Sequence, residues 1–370
     1  MSLKELTPEQ REIRDLAARF ADERIAPHAA GWDRGHTFPV ELFGELGRLG
    51  LMGVCVPEEH GGAGADFLSY VLVLEELARA DAGVGVTVAV HTSACTLPLL
   101  AHGSPEQIER LVPPLAAGEE IGAFALTESG SGSDAGAMRS RVADGKVTGA
   151  KQWITNGSHA ATFLVFARDG ERISAFVVRA GADGFAVTRE EEKMGLNSSS
   201  TADIVFEDTP AERLGEPGKG MAIALRTLDG GRIGIAAQAV GIAQAALDMA
   251  SSYAKERNAF GGPIGRFQAI AHRLADMQTE IEAARALVWR AARLKEAGRP
   301  HTVEGAQAKL FASRVARHWT GEAIQVLGGY GYTREFPAER YYRDAKVTEI
   351  YEGTSEIQRI VIAADVLRRD

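Results

Sequence analysis

The sequence predicts a three-part α+β chain: a helical domain over residues 1–120, a β domain over 121–213 and a helical bundle over 214–370. Three observations carry this reading. Apolar residues recur at helical spacing in the first and last parts. Between them, Asp144-Gly145, Asn156-Gly157, Asp169-Gly170 and Asp183-Gly184 divide short runs rich in β-branched and aromatic residues. No strand–GxGxxG–helix fingerprint is placed to open a βαβ unit.

Taken in order, Thr7-Pro8-Glu9-Gln10 reads as a capping box with Pro at the first helical position. Ile13, Leu16, Ala17 and Phe20 then follow at helical spacing. Gly50, Gly53 and the cluster Gly61-Gly62-Ala63-Gly64 punctuate this segment, and Phe67–Ala80 and Pro105–Ala117 are further helices. Thr162–Ala167, Ile173–Val178, Phe185–Thr188 and Ala202–Phe206 read as strands. Beyond them, Ile270, Leu274, Met277, Ile281, Ala284 and Val288 alternate steps of four and three, the seam of near-antiparallel helices. Gly230 to Ala246 is rich in glycine and alanine, which lets helices approach closely.

The chain has 370 residues, 45% of them apolar, so it can bury a large core. Its net charge is −9 and its Lys and Arg are scattered, which argues against nucleic acid and against a membrane-surface helix. No run holds the ~18 consecutive apolar residues of a membrane span, so no membrane insertion is expected. Cys55 and Cys95 lack metal-ligand spacing and read as core thiols of a reducing compartment. No metal site is expected. The N-terminus has neither a signal core nor a transit-peptide composition, so a cytoplasmic location is expected.

Five segments carry candidate chemistry. Glu349-Ile350-Tyr351-Glu352-Gly353-Thr354-Ser355-Glu356 sets a carboxylate before a glycine at an element boundary, where desolvation would strengthen it as a base. Taken alone, such a pair is more often a solvated turn. Phe124 to Asp134 is a Gly/Ser loop able to approach a planar ring or phosphate, though taken alone it is more often a plain surface loop. In Lys151 to Gly157, Trp153 and Thr155 share one side of a strand. That side could cover a flavin, or Trp153 could be core. Arg257 to Gly261, followed by Phe267-Gln268, offers a guanidinium suited to pyrophosphate, or a solvated helix end. Gln325 to Tyr332 is a glycine-rich helix exit, or a simple C-cap.

Together these segments resemble the acyl-CoA dehydrogenases over nearly the whole chain. Thr127 to Asp134, Trp153 to Gly157, Arg257 to Gly261, Gln325 to Gly331 and Ile350 to Arg359 match the family's elements in order. One departure is Glu128-Ser129, where many members have Glu-Pro. The resemblance implies a barrel-like or sandwich β domain and an antiparallel four-helix bundle. It also implies FAD in each subunit of a homotetramer, a dimer of dimers.

Carried over residue by residue, Phe124, Leu126, Thr127, Ser133, Trp153, Ile154 and Thr155 would meet the flavin. Arg257, Phe260, Gln268, Gln325, Gly328 and Gly329 would meet FAD from the adjacent subunit, and Thr354 and Glu356 would hold it near the catalytic end. Ser133, Asp229, Arg232 and Gly353 match positions near the acyl-CoA thioester. Glu352 matches the base that removes the α-proton, with the β-hydride passing to flavin N5, leaving a trans-2-enoyl-CoA. The Glu352 backbone N–H and a flavin hydroxyl would polarise the thioester oxygen.

A branch that carries its base one residue before the match to Arg232 has its counterpart here in Gly231. Glutaryl-CoA decarboxylating members carry an Arg near Gly85. The resemblance therefore implies a dehydrogenase for short or short branched acyl chains, with electron-transferring flavoprotein as oxidant. The alternatives are an acyl-CoA oxidase or flavin monooxygenase on the same fold and, from another class, a non-catalytic DNA-associated or scaffolding relative.

Overall fold

A computed structural model describes residues 6–368. The first seven helices are α1 Pro8–Phe20, α2 Ala26–Gly35, α3 Val40–Arg48, α4 Phe67–Ala80, α5 Ala82–Ala89, α6 Leu97–His102 and α7 Pro105–Ala116. The capping box forms: Thr7 accepts from Gln10 N, and the Gln10 side chain accepts from Thr7 N. Ser104 and Gln107 repeat it at α7. Helix α4 is buried on nearly every face, so its sequence shows little amphipathic contrast.

Eight strands follow: β1 Gly122–Ala125, β2 Arg141–Ala143, β3 Lys146–Thr155, β4 Thr162–Asp169, β5 Arg172–Arg179, β6 Phe185–Glu190, β7 Thr201–Pro210 and β8 Glu212–Leu214. They form one sheet of order β6-β7-β3-β2-β4-β5-β8, with β1 parallel to β4. A single pair, Arg141 with Arg168, joins the two halves. The halves fold over a shared core of Val147, Ile154, Phe163, Val165, Phe176, Ile204 and Phe206, which gives the expected barrel-like sandwich. The outer face of β4 and β5 packs Leu164, Phe166 and Val177 with Leu111 and Leu115 of α7.

The remaining elements are α8 Gly220–Glu256, a small hairpin of β9 Asn258–Ala259 and β10 Gly262–Pro263, α9 Gln268–Glu296, α10 Thr302–Leu327, α11 Ala338–Val347 and α12 Ser355–Val366. The three long helices pack on one another, α11 and α12 pack on α10, and α4 packs on α8 and α9. The seam holds: Met277, Ile281, Ala284 and Val288 are buried and Ile270 and Leu274 half-buried. Two stretches, Ala82–His102 and Gly220–Glu256, are long and apolar enough to cross a membrane by length and composition. Counting consecutive apolar residues overlooks them. In each, 83% of the most apolar 18-residue window is buried in the fold, which accounts for its composition.

Asn156-Gly157 opens the turn between β3 and β4, as its turn signal implies. Asn156 is fully buried in the left-handed region, and its amide donates to Thr87 O at 3.2 Å and Gly122 O at 3.0 Å. It ties α5 to β1. Simple alternation fails in β3, because the register shifts between Lys151 and Ile154 and Trp153 takes a φ of +61°. A bulge re-aims a side chain in this way. Trp153 and Thr155 still stand opposite the buried Ile154, and Trp153 is 55% exposed.

Candidate active site

Glu352 lies in the connection from α11 to α12. It and Gly353 are both left-handed, with φ of +53° and +88°. That conformation is strained for a residue with a β-carbon, so the surroundings must enforce it. They do so at several points. Lys309 Nζ of α10 donates to Thr348 O at 2.9 Å and Gly353 O at 2.8 Å, and Ser313 Oγ donates to Thr348 O at 2.8 Å. Gln358 Nε2 donates to Gly353 O at 2.7 Å. The Tyr351 hydroxyl donates to Gln238 of α8. Thr354 caps α12 by accepting from Ile357 N. A β-carbon on residue 353 would press on Gln358 Nε2, so glycine is required there by space as well as by φ.

The carboxylate points at α8. A β-carbon at Gly231 would overlap Glu352 Oε2 and lie 3.0 Å from its Cδ. Residue 352 is half-buried as a whole, yet Oε2 is sealed from solvent and has no hydrogen-bond partner. Burial pushes the Glu352 carboxyl up to about 7; the charges of Lys309 and then Arg232 act in the opposite sense. Burial pulls Lys309 down to about 7, opposed first by the Glu352 charge. Buried Arg232 donates to Asp229 at 2.7 Å, and Asp229 also accepts from Thr302 at 2.7 Å. Asp229, Arg232, Gly353 and Glu352 are thus gathered where α8 faces the loop. No hydrogen bond among the described residues takes the Glu352 N–H.

The β domain supplies a second wall. Gln152 N donates to Thr127 O at 2.9 Å, so the Thr127 loop and the Trp153 bulge are neighbours. Lys151, fully buried, donates to Leu126 O at 3.0 Å and to Glu128 at 2.8 Å. Glu128 also accepts from Arg139 N and Ser140 N. Ser133 is exposed on the loop that Glu128 and Ser131 close. Leu126 shares a core cluster with Ile223 and Ala224, about two turns before Gly231 on α8. Phe124 packs on Phe166. The Ile154 side chain lies in the β core, which leaves only its backbone to face a ligand.

A third group stands apart. Arg257 follows α8, its guanidinium 5.7 Å from the Tyr330 ring, and with Gly328 and Gly329 it lines a cavity of about 670 Å³. Gln325 and Gln268 are exposed at the end of α10 and the start of α9, and Phe260 is 90% exposed. From Gly231 to Arg257 is 26 positions of helix, or roughly 39 Å. One copy of the chain does not bring this group to Glu352.

Sequence reasoning missed Lys309 and Lys151. Each sits in a run where a lysine reads as a solvated face, and neither has a local signal of burial. It also missed Tyr70 of α4. This buried residue donates to Ala89 O at 3.1 Å, and its hydroxyl would lie 3.1 Å from a β-carbon at Gly234.

Comparison with known proteins agrees across the chain. Three family models match: the N-terminal domain of acyl-CoA dehydrogenases over residues 7–119, the middle domain over 123–209 and the C-terminal domain over 218–367. A short-chain specific acyl-CoA dehydrogenase of Clostridium acetobutylicum is 46% identical, over 98% of this chain and 99% of that one. The butyryl-CoA dehydrogenase structure from Megasphaera elsdenii superposes with a TM-score of 0.96 at 44% identity, covering 98% of this chain and 99% of that one. A chain from a structure described as the electron transferring flavoprotein of Acidaminococcus fermentans gives a TM-score of 0.97 at 45% identity, covering 99% of this chain and all of that one.

Proposed function

We propose a role for each wall of this site from one premise: the chain belongs to the acyl-CoA dehydrogenase family and carries out FAD-dependent dehydrogenation of acyl-CoA thioesters. Glu352 is the base. The observation that carries this is its sealed, unpartnered Oε2, held on a strained left-handed residue against Gly231. A carboxylate displaced upward to about 7 is matched to proton abstraction near neutral pH.

The free Glu352 N–H points to the thioester carbonyl as its acceptor, where it would stabilise charge developing as the α-proton leaves. Gly353 leaves backbone open beside it. Arg232, Asp229 and Ser133 are read as the thioester-side contacts.

The residues fit FAD. Trp153 is exposed, Thr155 follows it two residues on in β3, the Thr127 loop is bonded to the adjoining Gln152, and Gly130 and Gly132 have open space where a β-carbon would be. When bound, FAD supplies the acceptor for the β-hydride. Phe124, Leu126 and the Ile154 backbone shape that wall. Thr354 and Glu356 open α12 next to the base. Arg257 with Gly328 and Gly329, where a β-carbon would meet nothing, suits a pyrophosphate, and Phe260, Gln268 and Gln325 border it. Their separation from Glu352 supports a site completed by another copy, in keeping with a homotetramer. Domain boundaries near 120 and 214 accord with the change from α7 to β1 and from β8 to α8.

The substrate is a short acyl-CoA. Gly234, one turn beyond Gly231, is backed by the Tyr70 hydroxyl, Leu74 at 3.3 Å and Ala89 at 3.9 Å from its β-position, so space beside the base is filled. The short-chain and butyryl relatives support the same preference. Electron-transferring flavoprotein is the proposed acceptor. The two free thiols, with Cys95 buried, support a reducing, cytoplasmic setting. The deciding experiment is anaerobic mixing with butyryl-CoA. The wild type bleaches its flavin, and Glu352→Gln retains FAD and binds ligand without bleaching; normal bleaching by that variant removes Glu352 as base.

A further inference from the structure

We infer that Lys309 is a positioning residue for Glu352: its ammonium ties together both ends of the Thr348–Gly353 loop and supplies a charge that favours the ionised carboxylate. This rests on Glu352 being the base.

The side chain is 1% exposed, and its hydrogen bonds go to neutral carbonyls, Thr348 O and Gly353 O. A buried ammonium is costly unless it is compensated. The loop's carbonyls compensate part of it, and they are the two ends of the segment that holds Glu352. Ser313, one turn further along α10, donates to the same Thr348 O and leaves that end anchored without charge.

Two further charged groups act on this pair, and each has an ion-pair partner of its own. From α8, Arg232 is paired with Asp229. From the loop itself, Glu349 is paired with Arg317 and Lys346. Tyr70 of α4 and Tyr351 also face the carboxylate, and burial pushes both phenols upward, so they stay neutral. Lys309 is the foremost charge opposing the effect of burial on Glu352.

The test compares FAD-loaded wild type with Lys309→Gln, Lys309→Arg and Glu352→Gln. Two readouts are followed against pH: the rate of flavin bleaching by butyryl-CoA, and the Glu352 carboxyl infrared band, isolated by subtracting Glu352→Gln. In Lys309→Gln the infrared midpoint rises by about one unit or more and bleaching at pH 7 falls about tenfold. Lys309→Arg, whose charge does not titrate, holds the midpoint at or below the wild-type value.

An unchanged midpoint in Lys309→Gln, with only thermal stability lowered, overturns the proposal. Where the neutral variant does not fold, a midpoint that rises in Lys309→Arg overturns it. Bleaching by Glu352→Gln refutes the base assignment separately, and the infrared midpoint still decides whether Lys309 sets the charge.

Discussion

Gly231 of α8 and Glu352 of the loop before α12 stand face to face, with no room for a β-carbon between them. Gly231→Ala must therefore push the carboxylate off its position. Misplacement by about 1 Å is enough to lower a rate roughly 100-fold. We expect bleaching by butyryl-CoA to slow by about that factor, with FAD content unchanged. Stopped-flow reduction and the flavin spectrum check both halves.

The same carboxylate makes stability depend on pH. Its folded value of about 7 exceeds the ordinary 4.5, so the folded state holds the proton more tightly. Unfolding releases that proton between these values, and the Glu352 contribution to stability falls as pH rises from 4.5 through 7. Glu352→Gln should match the wild type at pH 5 and melt higher at pH 8. Equal melting temperatures at pH 8 would count against a desolvated base. The bleaching rate should rise over the same span, as the base ionises.

Lys151 and Glu128 form a buried pair, with side-chain exposures of 0% and 9%. Removing one partner of such a pair costs about 3–5 kcal/mol. Lys151→Met should destabilise the protein by that order, and it should loosen the Leu126–Thr127 wall, so that FAD is lost on gel filtration. Lys151→Met combined with Glu128→Leu should recover much of the stability, measured by denaturant unfolding.

The separation of Arg257 from Glu352 gives a mixing test. Trp153→Ala and Arg257→Ala should each lose FAD. Co-expressed at equal levels, they should regain about a quarter of the sites, because each mixed pair rebuilds one intact site of two. Flavin absorbance per chain after purification measures this, and no recovery would mean that one chain supplies both groups.

Much of the fold was legible because its signals are local. The Thr7 and Ser104 caps, the seam from Met277 to Val288 and the strands from Thr162 to Phe206 depend on neighbours within a few residues. Asn156-Gly157 was legible as a turn, but the tie its buried amide makes to Thr87 and Gly122 was not, because those partners lie far along the chain. The alternation through Trp153 was interrupted by a bulge, seen only in the register of β3 against β7. Lys309 was invisible because a lysine among alanines in a helix carries no mark of what faces it.

The sequence by itself determined the helical–β–helical order, the glycine beside Glu352 and the absence of a side chain at Gly231. The tertiary structure decided how tightly the Glu352 carboxyl holds its proton. Periodicity and caps act over a few residues of chain, whereas a carboxyl's affinity for its proton depends on the solvent removed around it and the charges brought near. For Glu352, those are an α8 surface without a side chain and an ammonium on α10, and folding is what assembles them.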